Sequence, residues 1–305
     1  MKKIYFNLCT MFILCLIINC SGAIGQNQNG WKENNLRGNV KSVSKRTYRY
    51  EEGKKGKWDM DNHSYLFKSG MMHDYDIEFD DKGNILKKVT FKIRPSENDS
   101  IRYQHSYEYN SKNQIEKELE KYQNSSREKI ITYEYDSNDR LVKIDKNKGN
   151  KYGSGHYEYE YDSNGYLKKE TFYGNYGKPN YKIEYENNDL GQKVKAVKST
   201  YNSREEKWIL GDRNEFRYND KNQLVELIKY LKDGRLTAKY QYEYDEFGNI
   251  IIDNQFKNKD ELAFKVKFEF KYDNNNNWTN CLVYKSVFNH DSAIYIVERK
   301  FEYRD

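Results

Sequence analysis

The 305-residue chain carries 53 Lys and Arg against 47 Asp and Glu, a formal net charge of +6, with only 36% hydrophobic residues and a mean hydropathy of -1.13. Charge this evenly balanced excludes a dedicated nucleic-acid surface, which needs a basic excess segregated to one face or segment. So low an aliphatic content excludes a thick aliphatic sandwich and places the apolar area in 30 Tyr and 14 Phe, whose rings pack while hydroxyls or neighbouring charges stay wet.

Lys2 and Lys3 precede an apolar run over 4–18, too short for a membrane span and suited to the h-region of an export signal. Ala23-Ile24-Gly25 offers small residues for cleavage before Gln26, giving a signal peptide over 1–25; a lipid anchor on Cys20, after Ile17-Ile18-Asn19, is the alternative. Removing Lys2 and Lys3 takes the 53 basic residues to 51 against 47 acidic ones, still nearly balanced. Cys9, Cys15 and Cys20 fall in or beside this signal, which leaves Cys281 alone, so no disulfide framework is expected.

A polar lead over 26–35 runs into Leu36-Arg37-Gly38-Asn39-Val40-Lys41-Ser42-Val43, an incomplete first unit of a repeat array, with a connection at 53–57 and a return strand at 64–67. The unit is plainest over 157–173. There Tyr157, Tyr159 and Tyr161 alternate with Glu158 and Glu160, the period of two that gives a strand one aromatic and one charged face. Asp162-Ser163-Asn164-Gly165 breaks the alternation. Asp suits the first position of a type I turn and Gly the left-handed residue after it, predicting a short hairpin with Tyr161 opposite Leu167. A return strand over 167–173 then keeps Leu167 and Tyr173 on the aromatic face.

Laid along the chain, the unit recurs with anchors at Phe79, Tyr109, Tyr135, Tyr161, Tyr185, Tyr218, Tyr244 and Tyr272, 24 to 33 residues apart, room for two strands and two turns each. Two before each anchor stands another apolar residue, with a charge between. Four after stands Gly83, Asn113, Asp139, Gly165, Asn222, Gly248 or Asn276, all types that tolerate positive φ. The Tyr185 copy differs, because 187–191 reads as carrying two extra residues. Pro95 and Pro179 fall between hairpins. After Tyr272 come strands at 281–288 and 294–303, where Glu298, Arg299, Lys300, Glu302, Arg304 and Asp305 would blunt an exposed edge. Residues 36–305 thus read as one all-β domain, an antiparallel β-hairpin repeat meander forming one long, twisted or curled sheet.

These residues resemble the YD-repeat proteins of the Rhs type, whose motif is roughly Tyr-x-Tyr-Asp-x-x-Gly-Arg/Asn-Leu. Segments 79–85, 159–167 and 242–250 follow it closely; Asp gives way to Asn110, Glu186 and Asn219, and Arg holds its usual place at Arg140. The resemblance covers about residues 36–305. It implies long curled antiparallel sheets, some closed into shells around toxin cargo, found at bacterial surfaces and in cell-contact proteins.

No catalytic centre, metal site or cofactor is expected. The five histidines show no short ligand spacing, and Cys281 is alone. Segments 136–139 and 162–165 look like calcium loops but lack the spacing and closing Glu, so turn chemistry explains them better. Glu158 and Glu160 recur in kind at every repeat, whereas a catalytic pair needs one special environment. Binding remains. Trp31, Trp58, Trp208 and Trp278 could stack on sugars, and the best-placed rings are Tyr173, Tyr176 and Tyr181 in the glycine-bracketed loop 173–181. The sequence therefore predicts a non-enzymatic exported protein, periplasmic, outer-membrane-associated or secreted, that binds an envelope or host glycan or protein. The alternative is a structural or toxin-system-associated scaffold. Nucleic acid is not an expected partner, and membrane contact is expected only through the signal peptide or a lipid on Cys20.

Overall fold

The computed structural model describes residues 30–51, 54–56, 74–94, 97–123, 125, 128–146, 155–174, 177–257, 261–287 and 290–305. The signal segment, Cys20, Trp58, the 64–67 strand and Tyr176 lie outside the described residues. One helical turn, α1 (Gly30–Glu33), precedes the strands β1 (Val40–Glu51), β2 (Lys54–Gly56), β3 (Asp74–Phe79), β4 (Ile85–Arg94), β5 (Glu97–Tyr109), β6 (Ile115–Tyr122) and β7 (Glu128–Tyr135). There follow β8 (Leu141–Asp145), β9 (His156–Tyr161), β10 (Leu167–Tyr173), β11 (Pro179–Asn187), β12 (Lys193–Asn202) and β13 (Lys207–Tyr218). The last six are β14 (Leu224–Tyr230), β15 (Leu236–Tyr244), β16 (Ile250–Phe256), β17 (Leu262–Tyr272), β18 (Trp278–Val287) and β19 (His290–Tyr303).

From β3 to β19 each strand pairs antiparallel with the next, as hairpins in series demand. The sheet is not open, however. β19 pairs with β1 through Phe301↔Val43 and Arg299↔Lys45, and β1 pairs with β3 through Val43↔Ile77, so 18 strands close a barrel. β2 is a short strand beside the far end of β1. The charged residues of β19 therefore guard no edge. Eighteen strands at about 4.8 Å spacing and about 40° tilt give a ring roughly 36 Å across if circular. Backbone contacts between elements run between sheet neighbours around this ring.

The turns explain the curl. In each, an Asp or Asn after the anchor folds its Oδ1 back over the turn. Asp162 Oδ1 accepts the N–H groups of Asn164 and Tyr166, both at 2.9 Å, and Asp80, Asn110, Asp136, Asn188, Asn219, Asp245 and Asp273 do the same. Asp and Asn serve equally because only one side-chain oxygen is used. The residue two before the return strand takes positive φ, +82 at Gly165, +83 at Gly83, +81 at Gly248 and 65 at Asn113. Each return strand then carries one extra residue: Tyr161 faces Leu167, but Glu160 faces Lys169. Such a bulge raises local twist, and it recurs at both rims, as where Tyr230 faces Leu236 and Phe256 faces Leu262, so the sheet twists and curls along its whole length until its ends meet.

The bulge corrects two expectations. Skipping Lys168 puts Phe172, not Tyr173, on the aromatic face, where it pairs with Tyr157. At the Tyr185 copy there are no extra residues. The turn is Asn188–Gln192, closed by Asn188 N donating to Gln192 O at 2.9 Å, and its anchor is Asn187, opposite Lys193 and 26 residues after Tyr161. Tyr185 sits where Tyr159 sits one hairpin earlier. Glu186 therefore occupies the charge position, bonded to Lys195 at 2.7 Å as Glu108 is to Lys117, and is not a substitute for the turn Asp.

The seam is a hairpin whose two halves come from opposite ends of the described chain. Tyr303 faces Val40 as Tyr161 faces Leu167, with the same bulge after it. Arg304 N donates to Asn39 O at 2.8 Å, as Asp162 N does to Tyr166 O, and Gly38 has φ 76. Phe301-Glu302-Tyr303-Arg304 thus supplies the leading half and Gly38-Asn39-Val40 the return half.

Candidate functional site

The two faces of the wall differ in kind. On the outside, Glu108, Glu134 and Glu160 are 65%, 59% and 57% exposed and lie beside Lys117, Lys143 and Lys169 across the hairpin. The other face is shielded: Val40, Cys281 and Val297 have no exposure, Phe216 has 5% and Tyr242 8%. In a closed ring the shielded face is the inner one. Its buried clusters form among neighbouring strands, one across β16 to β19, one across β11 to β16 and one around the seam.

Rows of side chains descend from the turn rim into the barrel. The first is the anchor row, which binds hairpin to hairpin. Tyr109, Tyr135, Tyr161, Tyr218 and Tyr244 donate their hydroxyls to the carbonyls of Ile85, Ile115, Leu141, Lys193 and Leu224, with 2.7 Å for Tyr161. Asn187 Nδ2 reaches Leu167 O at 2.9 Å and so does the work of the missing phenol. Tyr272 and Tyr303 bond instead to Asp245 and Asp273 of the preceding turns. Phe79 has no hydroxyl. The Val40 carbonyl in its path accepts from Trp31 Nε1 at 2.8 Å and Arg304 Nη1 at 3.0 Å.

Ionisable groups occupy the deeper rows. Across β5, β6 and β7, register places His105 opposite Glu120, Tyr107 opposite Glu118, and Glu118 opposite Ile131. His105 Nδ1 lies 2.7 Å from Glu118 Oε1, and the Tyr133 hydroxyl donates to Glu118 Oε2 at 2.7 Å. Burial pushes the Glu118 carboxyl up, but the hydrogen bonds from His105 and Tyr133, with the charges of His105 and Lys129, more than offset it and leave it below the usual carboxylate range. Next around the wall, burial raises Glu170, with Lys193, Tyr185, Lys146 and Lys198 acting against it. Asp253, facing Tyr242, is pushed by burial to about 6. At the seam, Lys45 and Arg299 are register partners, 3% and 4% exposed. Burial lowers Lys45 to about 7. The Arg299 guanidinium lies over the Trp278 and Phe301 rings, 4.2 and 4.7 Å away.

α1 lies against this wall at the rim. Trp31 N donates to Gly83 O at 3.2 Å, and a Cβ on Gly30 would stand 2.4 Å from Ile85 Cγ1, so only glycine fits there. Leu36 joins the seam cluster.

Of the predicted binding loop, the described Tyr173 and Tyr181 lie on opposite faces of the wall. Tyr173 stands on the outer face, its ring stacked on His156 at 4.6 Å, whereas Tyr181 faces inward, its ring 5.4 Å from Phe172 and its hydroxyl 3.3 Å from that of Tyr157. Trp31 and Trp278 belong to the seam and the inner wall, and Trp208 packs on Tyr201 at 5.2 Å. The inner polar groups went unread because His105, Glu118 and Glu120 meet only through strand register. The bulge count would have placed them together.

No protein-family model and no curated protein matches the sequence. Among solved structures the chain is similar to a porin-like protein from Bacteroides uniformis, at 9% identity and a TM-score of 0.42, covering 86% of this chain and 98% of that one. It is also similar to the TcdB2-TccC3-Cdc42 complex, at 11% identity and a TM-score of 0.36, over 86% of this chain and 16% of that one. A third likeness is to the Photorhabdus luminescens Tc holotoxin pore, at 9% identity and a TM-score of 0.29, over 90% of this chain and 19% of that one. This chain spans less than a fifth of those toxin chains, and likenesses this low assign neither family nor activity.

Proposed function

We propose that the protein is an exported, non-enzymatic binding barrel whose inner wall takes an envelope or host glycan. The observation that carries this reading is the composition of that wall. Tyr133 donates to Glu118, Glu170 stands opposite Tyr159, and Lys146 and Lys198 lie over the Tyr157 and Tyr181 rings, each at 4.5 Å, so aromatic rings alternate with charged hydrogen-bonding groups suited to sugar hydroxyls. The outer wall supports a barrel standing in water. Glu–Lys pairs as exposed as Glu108–Lys117 and Glu186–Lys195, set against hydrocarbon, would cost roughly 2–4 kcal/mol for each lysine near the bilayer midplane. An exported or envelope setting agrees with this arrangement and with the leader expected over 1–25. Kinship with the YD-repeat proteins belongs to the same proposal.

A second reading, a shell or scaffold that holds polypeptide, is favoured by α1, a segment of this chain seated against the rim of the wall. Binding of the intact protein to envelope polysaccharide and to envelope protein, assayed separately, distinguishes the two. Saturable polysaccharide binding that is lost in a Tyr159→Ala, Tyr181→Ala variant supports the glycan reading. Protein binding alone, or no binding to either, overturns it.

A further inference from the structure

We propose that His105, Glu118 and Glu120 form a binding site for one divalent transition-metal ion of the zinc class on the inner wall. One ligand atom from each lies within 4.8 Å of the other two, and all three side chains are largely shielded, His105 at 18% and Glu118 at 11% exposure. They sit on a single hairpin, β5 and β6, with His105 directly opposite Glu120, so the backbone holds them in fixed register. Zinc bound at about 2.0–2.2 Å to nitrogen and oxygen places neighbouring ligand atoms roughly 3.4 Å apart. The His105–Glu118 pair at 2.7 Å must open by about 0.7 Å, and Glu120 must swing inward, both within side-chain reach.

Two features distinguish this group from an ordinary ion pair. Glu118 is oriented from behind by the Tyr133 hydroxyl on its other oxygen, the arrangement in which an outer hydrogen bond fixes a carboxylate ligand. Glu120 lies 4.0 Å from Lys129, a contact long enough for a metal ion to replace. Three protein ligands leave a fourth position directed into the barrel. The inference does not depend on glycan binding and fails or stands separately from it.

The test is metal binding by the intact, metal-stripped protein, with Zn2+ followed by equilibrium dialysis and Co2+ by visible absorption. Saturation at one ion per chain and a Co2+ ligand-field band are expected. His105→Gln should abolish both, and Glu120→Gln, which keeps the side chain's size and removes its charge, should weaken binding about tenfold or more. His156→Gln, which alters the separate His156–Glu158 pair at 3.3 Å, should leave binding unchanged. Absence of saturable binding, or binding indifferent to both His105→Gln and Glu120→Gln, would show an ion pair with no metal function.

Discussion

Gly165 allows the turn chemistry to be tested without disturbing packing. Its φ is +82, and a Cβ added there would meet nothing nearer than Arg140 Nη1 at 3.9 Å, so the penalty for a side chain is backbone strain alone. The same position is held by Asn113, Asp139, Asn222 and Asn276 with φ between 58 and 65. Their short polar side chains reach this region at little cost, whereas a β-branched residue meets the following carbonyl, at roughly 2–3 kcal/mol. Replacing glycine also removes unfolded-state freedom worth about 0.4–1 kcal/mol. Gly165→Val should therefore destabilise the protein by a net ~1–2.6 kcal/mol, and Gly165→Asn should fall within about 0.5 kcal/mol of the parent. Urea unfolding of both variants, followed by near-ultraviolet circular dichroism, gives the comparison. Equal shifts for Val and Asn, or none for Val, would refute the turn assignment.

Gly38, with φ 76, sits at the equivalent place in the seam, where an added Cβ would also stand 3.3 Å from Asn275 Oδ1, so Gly38→Val should cost at least as much as Gly165→Val in the same assay; a negligible effect would count against the split hairpin. Tyr161→Phe and Asn187→Ala each remove the donor to a rim carbonyl and should each cost about 1 kcal/mol, even though only one touches an aromatic ring. Neutral behaviour of Asn187→Ala would argue that Asn187 is not an anchor. Lys45 has a folded pKa of about 7, below the 10.5 it takes in water, so the folded state binds fewer protons between those values. Its burden is full below about pH 7 and fades as pH rises towards 10.5. Lys45→Met should accordingly stabilise the barrel near pH 6.5, by up to about 5 kcal/mol at 1.4 kcal/mol per pKa unit, with the gain shrinking by pH 10. A pH-independent gain would disprove the linkage. Asp253, raised to about 6, behaves oppositely: its stabilising proton is lost as pH climbs from about 4 to 6, so Asp253→Asn should help at pH 7 and do little at pH 4.

Local pattern carried most of the fold because each hairpin is nearly self-sufficient. Tyr161, Asp162, Gly165 and Leu167 sit within seven residues, and their turn chemistry and pleat fix the pairing before any distant contact forms. The deeper wall was harder to read because the bulge after Leu167 moves every later residue to the opposite face. Without that shift, Tyr173 reads as an inner ring and Glu170 as a solvated charge; with it, Glu170 faces Tyr159 and Tyr173 stacks on His156 outside. Asn187 escaped for another reason. The repeat pattern is marked by aromatic anchors, whereas the rim requires a hydrogen-bond donor directed at the Leu167 carbonyl, which an amide supplies as well as a phenol.

Closure depends on the pairing farthest apart in the sequence. Val40 meets Tyr303, and no short-range pattern announces a contact of that span. Yet its chemistry is that of every other hairpin: a positive-φ glycine at Gly38, an Asn39 carbonyl accepting from Arg304, and an aromatic Phe301-Glu302-Tyr303 step. An array with a return half at one end and a leading half at the other presents mutually complementary edges. Left open, both edges would expose unpaired backbone groups beside an aromatic face; joined, they satisfy that backbone and bury Val40, Val43 and Ile77 to 1% exposure or less. The repeated bulges supply the curvature that brings the halves within reach. The split unit lets the 18 strands of the ring close on one another, and Arg304, donating to both Val40 and Phe79, ties the three strands at that junction.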